Sequence, residues 1–167
     1  MTAPLEEGDP LALVSAEPGA LATAALDAAL DQLAELGAMQ ADAADRLQTD
    51  RPGEAFSLLA EALAGWMAVS GAATQACELT GVNLATLEAD GRSGTERGAE
   101  LAERLKEMRD QVEAQDTIAL SDSLTYVWPE VVEGWQRLVE ALQEQIEAQA
   151  TSSPPPASTA PPATPEP

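Results

Sequence analysis

Apolar residues return every three or four positions in four separate stretches of this chain, and each stretch is bounded by residues that start or stop helices. The first stripe is Leu26, Leu30, Leu33, Gly37, Gln40, Ala44 and Leu47. It follows Glu17-Pro18-Gly19, where Pro18 falls in the first turn and its missing N–H has no helical partner to lose. The weak middle of the stripe, Gly37 and Gln40, predicts a close helix approach or a polar contact. A second stripe, Phe56, Leu59, Leu63, Trp66, Ser70, Ala73 and Cys77, begins after Asp50-Arg51-Pro52-Gly53, with Thr49 or Asp50 as the expected N-cap. Gly81 supplies its expected left-handed end. The third stripe is Leu101, Leu105, Met108 and Val112, preceded by Ser93 and Glu96 at capping-box spacing. The fourth runs Leu124, Trp128, Val131, Trp135, Leu138, Leu142 and Ile146, with Asp116 as its expected cap. The pattern predicts helices over about 18–48, 51–79, 94–114 and 117–149. With short or moderate links between them, the expected all-α fold is an antiparallel up-down four-helix bundle spanning 18–149.

Within the fourth stripe the segment SLTYVWPEVVEGWQRLVEAL stands out. Trp128 and Trp135 are two helical turns apart and share the apolar face, so both are expected in the core. Pro129 cannot donate to the Thr125 carbonyl and its ring crowds that group, which predicts a kinked fourth helix with a shallow groove near Tyr126. Tyr126 lies on another face. With Glu130 and Glu133 it forms the candidate partner-binding surface.

Between the second and third stripes, Gly81–Gly94 is irregular, with Leu84 and Leu87 as anchors and Asp90-Gly91 as a turn. Residues 1–17 mix Pro, Gly and acids and are expected to be irregular. Residues 150–167, rich in Pro, Ser, Thr and Ala, are expected to form a disordered tail. Pro162 and Pro165 match a minimal PxxP spacing but lack a basic neighbour.

Composition narrows the function more than the fold. The formal net charge is −21, with eight basic residues against 29 acidic ones. Such a field repels polyanions, so nucleic acid and anionic membrane are poor partners and a basic segment is a good one. The acidic start does not suit a secretory signal, and no stretch reads as the roughly 18 apolar residues of a membrane span, so the expected location is the cytoplasm. One cysteine, Cys77, fits a reducing compartment and sits on an apolar stripe, as a core residue would.

The absence of histidine removes His-based triads, imidazole zinc sites and the Glu-x-x-His di-iron pattern. Glu103 with Glu107, and Glu140 with Glu144, share helix faces, but that spacing is common in any acidic helix. No phosphate loop, dinucleotide fingerprint or calcium-loop spacing occurs. No catalytic residue, cofactor or metal ligand is therefore assigned. Gly65 and Ser70-Gly71, inside the second helix, are expected at tight helix packing.

DRPGEAFSLLAEALAGWMAVSGAATQACEL (50–79) and DTIALSDSLTYVWPEVVEGWQRLVEAL (116–142) resemble a group of short bacterial helical-bundle proteins without assigned chemistry, a likeness that implies a fold. PGALATAALDAAL (18–30) resembles the flagellin-specific secretion chaperone family through Pro18, Gly19, Leu21, Asp27 and Leu30, with Leu26 where that family has tyrosine. This second resemblance implies an export-type chaperone or adaptor. The expected function is a non-catalytic, acidic protein-binding module for a basic or amphipathic partner. The alternative is a self-associating structural protein, a homo-oligomer, ahead of a carboxylate-based metal binder or enzyme.

Overall fold

The computed structural model describes residues 17–152; the N-terminal segment 1–16 and the proline-rich residues 153–167 lie outside the described residues. The chain is all-α. Its helices are α1 (Pro18–Gln48), α2 (Pro52–Thr80), α3 (Gly94–Glu113), α4 (Thr117–Asp122) and α5 (Trp128–Ser152). Strands β1 (Glu88–Ala89) and β2 (Arg92–Ser93) form a small antiparallel hairpin, with Glu88 opposite Ser93 and Ala89 opposite Arg92. A π-helical turn, Ser123–Val127, joins α4 to α5.

The helix ends follow local chemistry. Gly81 takes φ 72° and returns its N–H to the Cys77 carbonyl, closing α2. Ser93 and Glu96 form the reciprocal capping box at the start of α3, and Asp116 accepts from the Ala119 N–H at the start of α4. The expected cap of α2 is not formed: Arg51 occupies that position without a side-chain bond. Thr49 instead donates back to the Asp45 carbonyl, and Asp50 adopts φ 57° to turn the chain. Between the strands, Asp90 (φ 53°) and Gly91 (φ 72°) are both left-handed, as a tight two-residue hairpin turn requires.

Helices α1 and α2 run in opposite directions. Arg46 pairs with Glu54 near their turn, Leu36 covers Gly65 at the middle, and Pro18 and Thr80 line one cavity at the far end. A Cβ on Gly65 would lie 2.7 Å from Leu36 Cδ2, so the glycine is a point of close approach. Gly71 differs: among the described residues nothing lies within 4 Å of the corresponding Cβ, and the tight packing expected there is not found. Helix α5 lies along α1, with Gln143 Nε2 donating to Asp27 Oδ1 at 2.7 Å and Val132 beside Gly37.

The buried face of α2 is Ala55, Leu59, Ala62, Gly65, Trp66, Val69, Ala73, Ala76 and Cys77. Leu63, expected in the core, is 45% exposed, because the buried face runs through Leu59, Ala62, Gly65 and Trp66 and leaves it at the edge. Trp66 fills the wider space towards α5. Its ring centroid is 5.6 Å from Trp128 and 6.1 Å from Trp135, the second pair edge-on. Gln40 is buried, and neither its amide nitrogen nor its oxygen has a partner among the described residues, so of the close approach or polar contact expected at the middle of the first stripe, the polar contact is not found there. Helix α5 continues to Ser152, beyond the expected end at 149, with Thr151 and Ser152 hydroxyls bonded to carbonyls one turn back.

Candidate functional site

The π-helical turn carries the first candidate surface. Tyr126 is 72% exposed on it, with Glu130 and Glu133 exposed one and two turns further on. The three share a face. Glu133 accepts from Arg137 at 2.5 Å, and Arg137 also bonds Asp90 of the hairpin turn, so part of the acidic edge is neutralised. The opening beside this segment does not lie on the Tyr126 face. A cavity of about 420 Å³ opens instead on the neighbouring face, walled by Leu124, Thr125, Pro129 and Val132 against α1. Thr125, Pro129 and Val132 repeat with the helical period one position round from Tyr126, Glu130 and Glu133, which turns Tyr126 away from the opening.

The second candidate is a groove of about 320 Å³ between α2 and α3. Phe56, Leu59 and Leu63 form one wall, and Leu105, Met108 and Val112 the other. Arg109 and Glu113 stand at its edge, 3.7 Å apart. The apolar strip continues along α2 to Met67, which is 67% exposed, and no charged residue interrupts α2 between Glu61 and Glu78. By length and composition α2 is apolar enough to cross a membrane, and about a third of its most apolar stretch is buried. The sequence reading found no such stretch because alanine and glycine, rather than large side chains, make up much of the run. The uncharged outer face of α2 was visible in the sequence, but the assignment of Leu63 to the core concealed it.

Sequence reasoning also missed Arg97. It is buried, packed between the hairpin and α5, donating to the Ala89 carbonyl at 3.4 Å and lying 4.0 Å from Asp90. Gly134 makes room for it: a Cβ there would fall inside contact distance of the guanidinium. Arg97 thus ties α3 to the hairpin while its guanidinium packs on α5 at Gly134.

Electrostatic perturbations follow local contacts. The Arg46 hydrogen bond holds Asp42 below the usual carboxylate range, and the Ser93 backbone N–H does the same for Glu96. Burial pushes the Cys77 thiol up, which keeps it protonated and weakly nucleophilic. Among the described residues, no group of three or more Cys, Asp or Glu is placed to hold a metal ion. No protein-family model, curated protein or solved structure matches the chain.

Proposed function

We propose that this chain is a non-catalytic, acidic protein-binding module that takes an amphipathic helical segment with basic flanks, in the manner of a secretion-type chaperone or adaptor. The observation that carries the reading is the apolar strip from Phe56 to Met67, faced by Leu105, Met108 and Val112, in a molecule of net charge −21. An apolar helix face would fill the groove, and basic flanks would meet the acidic surroundings. The same reading treats the four long helical segments as an up-down bundle, with α4 and α5 as one helix bent at Ser123–Val127. The groove is then the seam that α3 leaves incompletely covered on α2.

A second reading is self-association through the same strip, favoured by the lack of charge between Glu61 and Glu78, where two copies could meet with least repulsion. Photo-crosslinking in cells separates the two. A crosslinker at Met67 is expected to capture one discrete protein, a control at Glu103 on the outer face of α3 is not, and Leu63→Asp abolishes the capture. Crosslinks between copies of the chain would support self-association, and no crosslink from Met67 would remove both readings.

A further inference from the structure

Burying a carboxamide without hydrogen bonds is costly, and an aliphatic side chain of similar size avoids the cost. Gln40 nevertheless lies 2% exposed with both amide atoms unpartnered among the described residues. It belongs to the wall of the 420 Å³ cavity between α1 and the π-helical turn. Other buried groups also go short, among them Arg97 Nε and the Trp66 and Trp135 indole N–H, but Arg97 still reaches a carbonyl, Ser121 accepts from Gln48 at 3.2 Å, and in Gln40 the whole polar end is without a partner among the described residues.

The opposite wall has its own shortage of donors. The Trp128 N–H bonds to the Ser123 carbonyl, five residues back. Pro129, next in line, has no N–H. The Leu124 carbonyl therefore receives a bond from neither residue, and the Thr125 carbonyl loses its ordinary donor one turn ahead. Both residues line the cavity, and the Thr125 hydroxyl is committed to the Ser121 carbonyl at 2.8 Å. Such π-turns recur at functional sites, where the disturbed ladder frees backbone groups for other work.

The remaining wall residues define what the cavity suits. Asp45 and Gln48 add a carboxylate and an amide oxygen, and no lysine or arginine lines the space. Ala41, Ala44 and Val132 supply an aliphatic surface, while Gly37 contributes no side chain. Gln40, Asp45, Gln48 and the two carbonyls offer acceptor oxygens beside the Gln40 amide N–H, and the net charge of −21 concentrates cations near the surface. We propose that this cavity binds a small organic cation, an alkylammonium or alkylguanidinium, with its charged head on Gln40, Asp45 and the Leu124–Thr125 carbonyls and its chain against Ala41, Ala44 and Val132. This site is separate from the α2–α3 groove and does not depend on the function assigned to it.

The test is an NMR titration of the full chain, following the Gln40 side-chain amide and the Thr125 backbone amide. Butylammonium and butylguanidinium are expected to shift both signals saturably, whereas butyramide and butyrate leave them in place. Gln40→Met keeps the side chain's size and removes the buried polar atoms, so it should raise the melting temperature while weakening binding about tenfold. Asp45→Asn, at an exposed position, should weaken binding without altering the fold. A capped lysine identifies the source of the cation: binding tighter than butylammonium assigns the group to a protein's lysine, and weaker binding to a free amine. No shift with either cation, equal shifts with butyramide, or undiminished binding in both variants would overturn the proposal.

Discussion

Helix α2 meets α1 along one side and α3 along another, and the two seams are built differently. The buried face of α2 includes Ala55, Ala62, Gly65, Ala73 and Ala76, and that of α1 includes Ala22, Ala29, Leu33 and Leu36. Small residues on both partners let the backbones approach, and Leu36 closes over Gly65. Against α3, α2 presents Phe56, Leu59 and Leu63, but α3 offers a narrow stripe in which Leu105 and Val112 are only partly buried. The rest of α3 is largely charged or small. Apolar area on α2 thus exceeds what α3 can cover. Close packing in this protein depends on small side chains facing each other, not on total hydrophobicity.

The largest effect is expected where α2 faces α5 rather than at either seam. Trp66 is fully buried against Trp128 and Trp135, and Trp66→Ala should cost about 3–5 kcal/mol, read as a lowered urea midpoint at constant slope. Leu63→Ala, on the open seam, should cost about 1 kcal/mol or less because the side chain already meets water. Equal losses at the two positions would mean that the α2–α3 groove is closed in solution, and the contrast between seams would fail.

A sharper comparison uses two glycines of the same helix. Alanine is favoured over glycine inside a helix by about 1 kcal/mol. At Gly71, with open space around it, Gly71→Ala should realise about 0.5–1 kcal/mol of that gain. At Gly65 the added methyl would meet Leu36 and Gln32, and overpacking of about 1–3 kcal/mol outweighs the gain. Thermal melts should move in opposite directions, upward for Gly71→Ala and downward for Gly65→Ala. Equal upward shifts would show that the α1–α2 seam is looser than its geometry.

These positions also show how far the sequence could be read. The burial of Leu26, Leu33, Trp128, Trp135 and Leu142 follows from helical periodicity, because those stripes have polar residues on their other faces. Helix α2 is apolar nearly all round, so periodicity could not say which side faced inward, and Leu63 and Gly71 were misplaced. The burial of Arg97 was not legible in the sequence, because its fit needs the missing side chain of Gly134 on another helix. Pro129 announced a lost hydrogen bond, but not the π-turn that takes up the disturbance. Gln40 was visible as a polar break in the first stripe. Its cavity was not, because the walls come together only when α1 packs beside Thr125 and Pro129.

The smallest effect concerns how α3 is held where apolar cover is thin. Its start is fixed by the hairpin and by the capping box, in which the Glu96 carboxylate accepts the Ser93 backbone N–H at 2.7 Å. That bond, reinforced by the Ser93 hydroxyl, lowers the Glu96 pKa in the folded state relative to the unfolded chain. A lowered acid favours folding fully when the carboxylate is ionised in both states, above the ordinary glutamate range. The contribution fades as pH falls through that range and is gone below the folded value. Glu96→Gln keeps an acceptor oxygen but loses the charge, so the native chain should exceed it slightly in stability near neutral pH. Urea midpoints for the two, measured side by side, should converge on acidification. A difference that stays constant into the acid range would show that charge on Glu96 contributes nothing to the cap, leaving the neutral hydrogen bond and the hairpin to hold α3.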